Sequence, residues 1–267
     1  MASPFAKLAE NVLRAHGLYR LPVDPFEIAK HEGILCWPQH YGDGFDARIE
    51  YYPDLTSYCI YYAKPWGWRT EGRVRFSLGH ELGHYYIEEH RKLIREGKVH
   101  NSVSDYRSRN EIEMQADDFA ADLLMPMELF RRELKTFHGG FCTIQDLLKF
   151  ANRLGTSVTS TARRYCESDG EACTIFFSEN GRIRWGKASE DMSRTGMYWY
   201  EFGSPPPAGS KTAEYWSRFD AGEFSDRIAG RVDADIWFSR PGADELWEEV
   251  MPLGNTGRVI TQLTPHE

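Results

Sequence analysis

The run His80-Glu81-Leu82-Gly83-His84 constrains this chain more than any other stretch. It reads H-E-x-x-H inside a segment with helical patterning. Two histidines four apart lie one turn above each other on one helix face, so both imidazoles can reach a single metal ion. The glutamate between them is placed to act on a water at that metal. A catalytic zinc takes three protein ligands and leaves a fourth position for water. A fold that uses this motif must therefore bring another element against the first helix to supply the missing ligand.

Residues 110–124 form the best candidate for that element. Glu113, Ala116, Asp117, Ala120 and Leu124 lie along one side of a helix there. The alanines permit close approach to the motif helix, and Gly79 and Gly83 permit the same from the other side. Glu113 is the favoured third ligand. Glu111 and Asp118 point off the alanine stripe and stand as the competing choices. Asp117, one turn after Glu113, suits the carboxylate that commonly takes the second N–H of a ligating histidine and fixes its tautomer. The ion expected is one catalytic Zn2+, with Mn2+ or another divalent ion as the alternative. The structural alternative is a histidine that is merely packed and acids on a wet helix face. It leaves the agreement of two histidines, a glutamate, flanking glycines and E-x-x-x-D unexplained.

At 267 residues the chain is long for one domain and fits one elaborate domain or two to three smaller ones. A formal charge of −8 argues against a nucleic-acid footprint over the whole chain. No apolar run is long enough to span a bilayer, so no membrane partner is expected. The first twenty residues lack a secretory pattern. The five cysteines, Cys36, Cys59, Cys142, Cys166 and Cys173, are odd in number and form no C-x-x-C pair. Both features predict reduced thiols and a cytoplasmic protein.

Hydrophobic spacing predicts helices over 4–15 and from Pro25 to about Gly33, then a strand at 34–37 and a pair of strands over 45–63. A single long helix is expected over 70–94, followed by helices at 110–124, 127–137, 144–154 and 157–165. Beyond Cys166 strands are expected at 174–177, 182–186, 228–238, 246–250 and 258–263, with Asn180-Gly181 as a hairpin turn. The fold class is α+β. Three regions are expected: residues 1–138 with the motif and a small β-sheet, a helical segment at 139–170, and a strand-rich lobe at 171–267.

The middle segment has the helix, glycine turn and serine-capped helix of a helix-turn-helix. Between Phe141 and Cys166, Lys149, Arg153, Arg163 and Arg164 against Asp146 give a local charge of +3. Those four basic residues are candidates for contact with DNA or a partner. An ordinary helix pair bracing the domain is favoured over DNA binding, because the start of the second helix offers only Ser157, Thr159, Ser160 and Thr161.

The run from Glu113 to Pro126, following H-E-L-G-H after Arg73-Val74-Arg75-Phe76, resembles the ImmA/IrrE family of metallopeptidases, and Pro22 to Ala29 is similar to that family's opening. The resemblance covers about residues 5–170. It implies a thermolysin-like zincin fold, with His80, His84 and Glu113 holding metal and Glu81 acting in catalysis. The implied target is a helix-turn-helix repressor, whose cleavage switches on stress-response or mobile-element genes. Gly79 stands where the family commonly has alanine. For the last region the resemblance implies an α/β sensor-like module of the GAF or PAS kind. Read from its own residues, that region is either a ligand- or partner-sensing lobe or a stabilising appendage.

The expected chemistry is peptide-bond hydrolysis, with Glu81 moving the proton of the attacking water to the leaving amine. Tyr85, Tyr86, His100 and His138 are the candidates for stabilising the oxyanion. The alternative function is a non-proteolytic transcriptional regulator with a structural metal and a DNA-binding helix-turn-helix. A structural zinc is normally closed by four protein ligands, usually including cysteine, and no cysteine lies near the motif in sequence. The oligomeric state is open.

Overall fold

The computed structural model describes residues 3–40, 46–65, 70–97, 111–137, 142–168, 171–194, 201–223, 226–239, 242–254 and 257–266. The chain divides into two compact units. One comprises Met1–Leu134 with Ala151–Ser157, and the other Lys135–Phe150 with Val158–Glu267. Among the described residues no helix is long and apolar enough to cross a membrane.

The first unit begins with α1 (Ala6–Ala15) and α2 (Pro25–His31). Asp24 starts α2 by accepting a 3.0 Å hydrogen bond from the Phe26 N–H, with Pro25 in the first turn. Three strands follow: β1 (Leu35–Gln39), β2 (Ala47–Tyr52) and β3 (Ser57–Ala63). They form a sheet in the order β1-β3-β2, with β1 parallel and β2 antiparallel to β3. Ile49 faces Ile60 across the hairpin, and both are buried. β2 therefore lies at a sheet edge.

α3 (Glu71–Tyr86) carries the motif. The Thr70 hydroxyl caps it by accepting from the Arg73 N–H at 3.3 Å. Every residue from Ser77 to His84 is buried, as expected of a helix enclosed on all sides rather than an amphipathic surface helix. Gly72 admits this packing at the helix start, because a Cβ there would lie 2.6 Å from the carbonyl carbon of Thr156. The single helix expected over 70–94 is broken. Ile87 is extended (φ −77°, ψ 115°), and α4 (Glu88–Arg95) sets off in a new direction. The Ile87 side chain is buried, so tertiary packing overrides a locally helical sequence. α5 (Glu111–Leu124) packs against α3 and α1, and α6 (Met127–Phe137) follows; α7 (Ile144–Leu154) belongs to the second unit up to Phe150. Leu78, Leu82, Phe119, Leu123 and Leu124 form much of the core around α3 and α5.

The second unit contains α8 (Val158–Glu167), β4 (Thr174–Glu179), β5 (Arg182–Ala188), α9 (Glu190–Arg194), α10 (Lys211–Asp220), β6 (Ile228–Asp233), β7 (Glu245–Pro252) and β8 (Arg258–His266). Its five strands form an antiparallel sheet in the order β5-β4-β8-β7-β6. The strand expected over 228–238 ends at Asp233 and continues as a 3-10 turn, Ala234–Ile236. The sequence reading missed α10, although Thr212, Tyr215, Trp216 and Phe219 fall at helical spacing behind the Ser210 cap. α10 packs on β6 and β7. Its N-terminus is held by the fully buried Glu248 of β7, which accepts from the Lys211 and Thr212 N–H groups at 3.0 and 2.7 Å. The Thr212 hydroxyl and Trp237 Nε1 also donate to Glu248, at 2.6 and 2.9 Å.

Candidate metal centre

α3 and α5 meet at small residues. A Cβ on Gly79 would lie 3.4 Å from Ala120 Cβ, and one on Gly83 would lie 3.1 Å from Ala116 Cα. The backbones approach closely enough for side chains beside the crossing to share one point. His80 and His84 reach it from α3, and Glu113 reaches it from α5.

The Nε2 atoms of His80 and His84 stand 3.0 Å apart. Glu113 Oε2 lies 3.2 Å from His80 Nε2, and Glu113 Oε1 lies 3.6 Å from His84 Nε2. Among the described residues, this is the one group of three or more His, Cys, Asp or Glu whose donor atoms gather within 4.8 Å. Zinc bonds of about 2.0–2.1 Å at tetrahedral angles place neighbouring donors roughly 3.3–3.4 Å apart. The 3.0 Å between the two imidazole nitrogens and the 3.2 Å from His80 to Glu113 Oε2 are close to that spacing, and the 3.6 Å from His84 is to the other oxygen of the same carboxylate. The donor chemistry agrees, since two imidazole nitrogens and a carboxylate direct lone pairs at one position.

Behind His80, Asp117 Oδ1 lies 2.8 Å from Nδ1. The carboxylate holds the ring proton on Nδ1 and leaves Nε2 free to ligate. The surroundings of His80 favour positive charge. Burial opposes its protonation, but hydrogen bonds to Asp117 and Glu113 and the charge of Glu81 outweigh burial and push its pKa up to about 10. In the metal-free protein a proton thus takes the place in the charge balance that these residues would give a cation. The residues fit a divalent ion.

Glu81 is buried beside His80. The Ile49 N–H donates to its Oε2 at 2.9 Å, so β2 holds the carboxylate in place. This N–H lies on the side of β2 away from β3, which no strand pairs among the described residues.

Residues 38–165 match the family model of the IrrE N-terminal-like domain, Peptidase_M78. They belong to the ImmA/IrrE family. The family is one of metallopeptidase-type regulators. A solved structure of a Mycobacterium tuberculosis transcriptional regulator aligns with 98% of this chain and 75% of its own, at 14% identity and a TM-score of 0.58. That likeness is one of fold. No curated protein matches the sequence.

In the first unit the Tyr85 and Tyr86 hydroxyls both donate to Glu32, at 2.7 and 2.9 Å, and His16 Nε2 lies 2.9 Å from the same carboxylate. Burial raises the Glu32 pKa, but these three partners more than offset it and hold the pKa below the ordinary value. Both tyrosines are thus tied to the end of α2. His100 and His138 lie outside the described residues. Glu111 accepts from Gln115 Nε2 at 3.3 Å, and neither Glu111 nor Asp118 is in the ligand cluster.

The four basic candidates are engaged in ion pairs. Lys149 is exposed and meets Asp146 at 3.4 Å, and Arg153 pairs with Glu133. Arg163 and Arg164 meet Glu167 at 3.5 and 3.4 Å, and Arg164 is buried. A residue the sequence reading missed is His90 on α4, buried with its Nδ1 3.2 Å from His84 Nδ1. The spacing could have flagged it, since residues 80–90 read H-E-x-x-H-x-x-I-x-x-H, the extended H-E-x-x-H-x-x-G-x-x-H pattern with isoleucine in place of the glycine, and the helix breaks at that position, Ile87.

Proposed function

We propose that this chain is a zinc-dependent endopeptidase that cleaves a helix-turn-helix transcriptional repressor and thereby derepresses stress-response or mobile-element genes. One observation carries the chemistry: three lone-pair donors gather within 4.8 Å of one another beside a buried carboxylate that is not among them. The target class rests on membership of the ImmA/IrrE family. The His, His, Glu donor set favours zinc over manganese, which prefers an oxygen shell.

When bound, the ion supplies Lewis acidity at the scissile carbonyl and makes a water more acidic. Glu81 takes the proton of the attacking water and passes it to the departing amine nitrogen. The Ile49 N–H keeps one carboxylate oxygen fixed during both transfers. Because that N–H lies on the free edge of β2, an extended substrate pairing along this edge would bring its backbone to Glu81. His80, His84 and Glu113 hold the ion, and Asp117 orients His80.

In this reading residues 1–138 form a thermolysin-like peptidase domain, 139–170 a helix-turn-helix-like segment, and 171–267 a sensor-like lobe of the GAF or PAS kind. The antiparallel sheet with α10 packed on β6 and β7 supports the last assignment. The test is incubation of the zinc-loaded chain with a repressor encoded beside it. A discrete cut is expected from the wild type and none from Glu81→Gln, which still binds zinc. Normal cutting by Glu81→Gln would sink the mechanism. No cut by the loaded wild type would favour the non-proteolytic regulator.

A further inference from the structure

We propose that His90 is a positioning residue that sets the tautomer of His84 through a directed hydrogen-bond relay ending on α5. The proposal rests on the reading of His80, His84 and Glu113 as a metal centre.

In one continuous helix, residues 84 and 90 would be separated by about 9 Å of rise and about 240° of rotation, too far for contact. The extended residue Ile87 turns α4 back, and the two rings come to 5.1 Å between centroids. His84 Nδ1 then lies 3.2 Å from His90 Nδ1. His90 Nε2 lies 3.0 Å from Gln115 Oε1, and Gln115 Nε2 donates to Glu111 Oε1 at 3.3 Å.

These contacts assign each proton. Glu111 accepts, so the Gln115 amide turns its NH2 toward Glu111 and its oxygen toward His90. That oxygen accepts, so His90 carries its proton on Nε2 and offers a lone pair at Nδ1. His84 must then donate from Nδ1, which leaves its Nε2 lone pair facing His80 and Glu113. The reverse tautomer would aim a His84 N–H into the ligand cluster, where the Glu113 carboxylate would accept it and close the site. The relay keeps the site open. His80 is backed directly by the carboxylate of Asp117, whereas His84 is backed by an imidazole and, behind it, an amide. α5 thus supplies one ligand and orients both of the others.

The test measures zinc affinity of the full chain by competition with a chromophoric chelator. His90→Leu keeps bulk but removes the acceptor, and should bind zinc about 10–100-fold more weakly. His90→Asn restores an acceptor and should recover most of the loss. Gln115→Leu should weaken binding in the same direction, and Gln115→Glu, with a permanent acceptor, should not. Long-range 1H–15N NMR of the zinc-loaded wild type should show protons on His84 Nδ1 and His90 Nε2. A folded His90→Leu with wild-type zinc affinity, or a proton on His90 Nδ1, would overturn the proposal. Should His90→Leu fail to fold, equal affinities for the two Gln115 variants would overturn it. A wild type that binds no zinc would overturn the metal-centre reading itself, a result distinct from the others.

Discussion

Replacing Gly83 with alanine puts a methyl group where α3 and α5 are closest. The new Cβ would lie 3.1 Å from both Cα and O of Ala116 and 3.2 Å from a ring carbon of Phe119. Carbon atoms at their optimal separation are about 3.5–4.0 Å apart, so α5 must retreat by at least about 0.4 Å. His84 adjoins Gly83 on α3, and Glu113 lies three residues before Ala116 on α5. The retreat therefore widens the 3.6 Å spacing between these two ligands. Metal–ligand distances tolerate only about 0.2 Å, so zinc affinity should fall at least about tenfold, or roughly 1.4 kcal/mol. Overpacking should cost about 1–3 kcal/mol, of which about 1 kcal/mol is returned by the better helix propensity of alanine. Gly79→Ala is the internal control. Its nearest contacts, 3.4, 3.6 and 3.7 Å, are ordinary, so it should be neutral or gain up to about 1 kcal/mol and keep its zinc. Thermal unfolding of both metal-free variants, with chelator competition for zinc, checks this. A Gly83→Ala protein as stable as Gly79→Ala with undiminished zinc affinity would refute the close-crossing argument.

Asp117→Asn should weaken zinc binding about 10–100-fold and lower the pKa of His80, seen by chelator competition and by NMR titration of the metal-free protein. The His80 pKa is raised from 6.5 to about 10, so its contribution to metal-free stability is fully present below about pH 6.5 and is lost as pH rises through about 10. Zinc must displace that proton. Calorimetry at pH 7 in two buffers of different ionisation enthalpy should show proton release, and affinity should climb with pH. Glu32 shows the opposite sign: its lowered pKa contributes stability above its ordinary range that is lost as pH falls through the folded value, and Glu32→Gln should flatten the acid limb of a stability–pH curve. In the second unit, Glu248→Leu removes the acceptor of the Lys211 and Thr212 N–H groups and of the Trp237 indole N–H, while the Thr212 hydroxyl keeps its 2.7 Å contact with the Thr261 hydroxyl. At about 1–3 kcal/mol for each unsatisfied buried donor, a loss above about 3 kcal/mol is expected in a urea titration followed by tryptophan fluorescence.

Short-range physics was legible without coordinates. The phase of His80 and His84 follows from helix geometry alone, and the cap at Asp24-Pro25 follows from side-chain chemistry. The Asn180-Gly181 turn follows from the positive φ of both residues, 50° and 72°, in a tight hairpin. The small-residue faces of α3 and α5 were visible as composition, and they meet because glycine and alanine leave the least between two backbones.

Other features depended on partners distant in the chain. Nothing in Tyr86-Ile87-Glu88-Glu89 breaks a helix by propensity, yet burying Ile87 in an extended conformation breaks it, and His90 reaches His84 as a result. The parallel pairing of β1 with β3 leaves β2 at an edge, and that edge lends the Ile49 N–H to Glu81. By itself the sequence determined which residues could ligate a metal and on which helix face they lie, because periodicity and capping act over a few residues. Only the tertiary structure decided the donor spacing, the orientation of the rings behind the ligands and the support of Glu81, because each depends on packing between segments whose order along the chain says nothing about their distance in space.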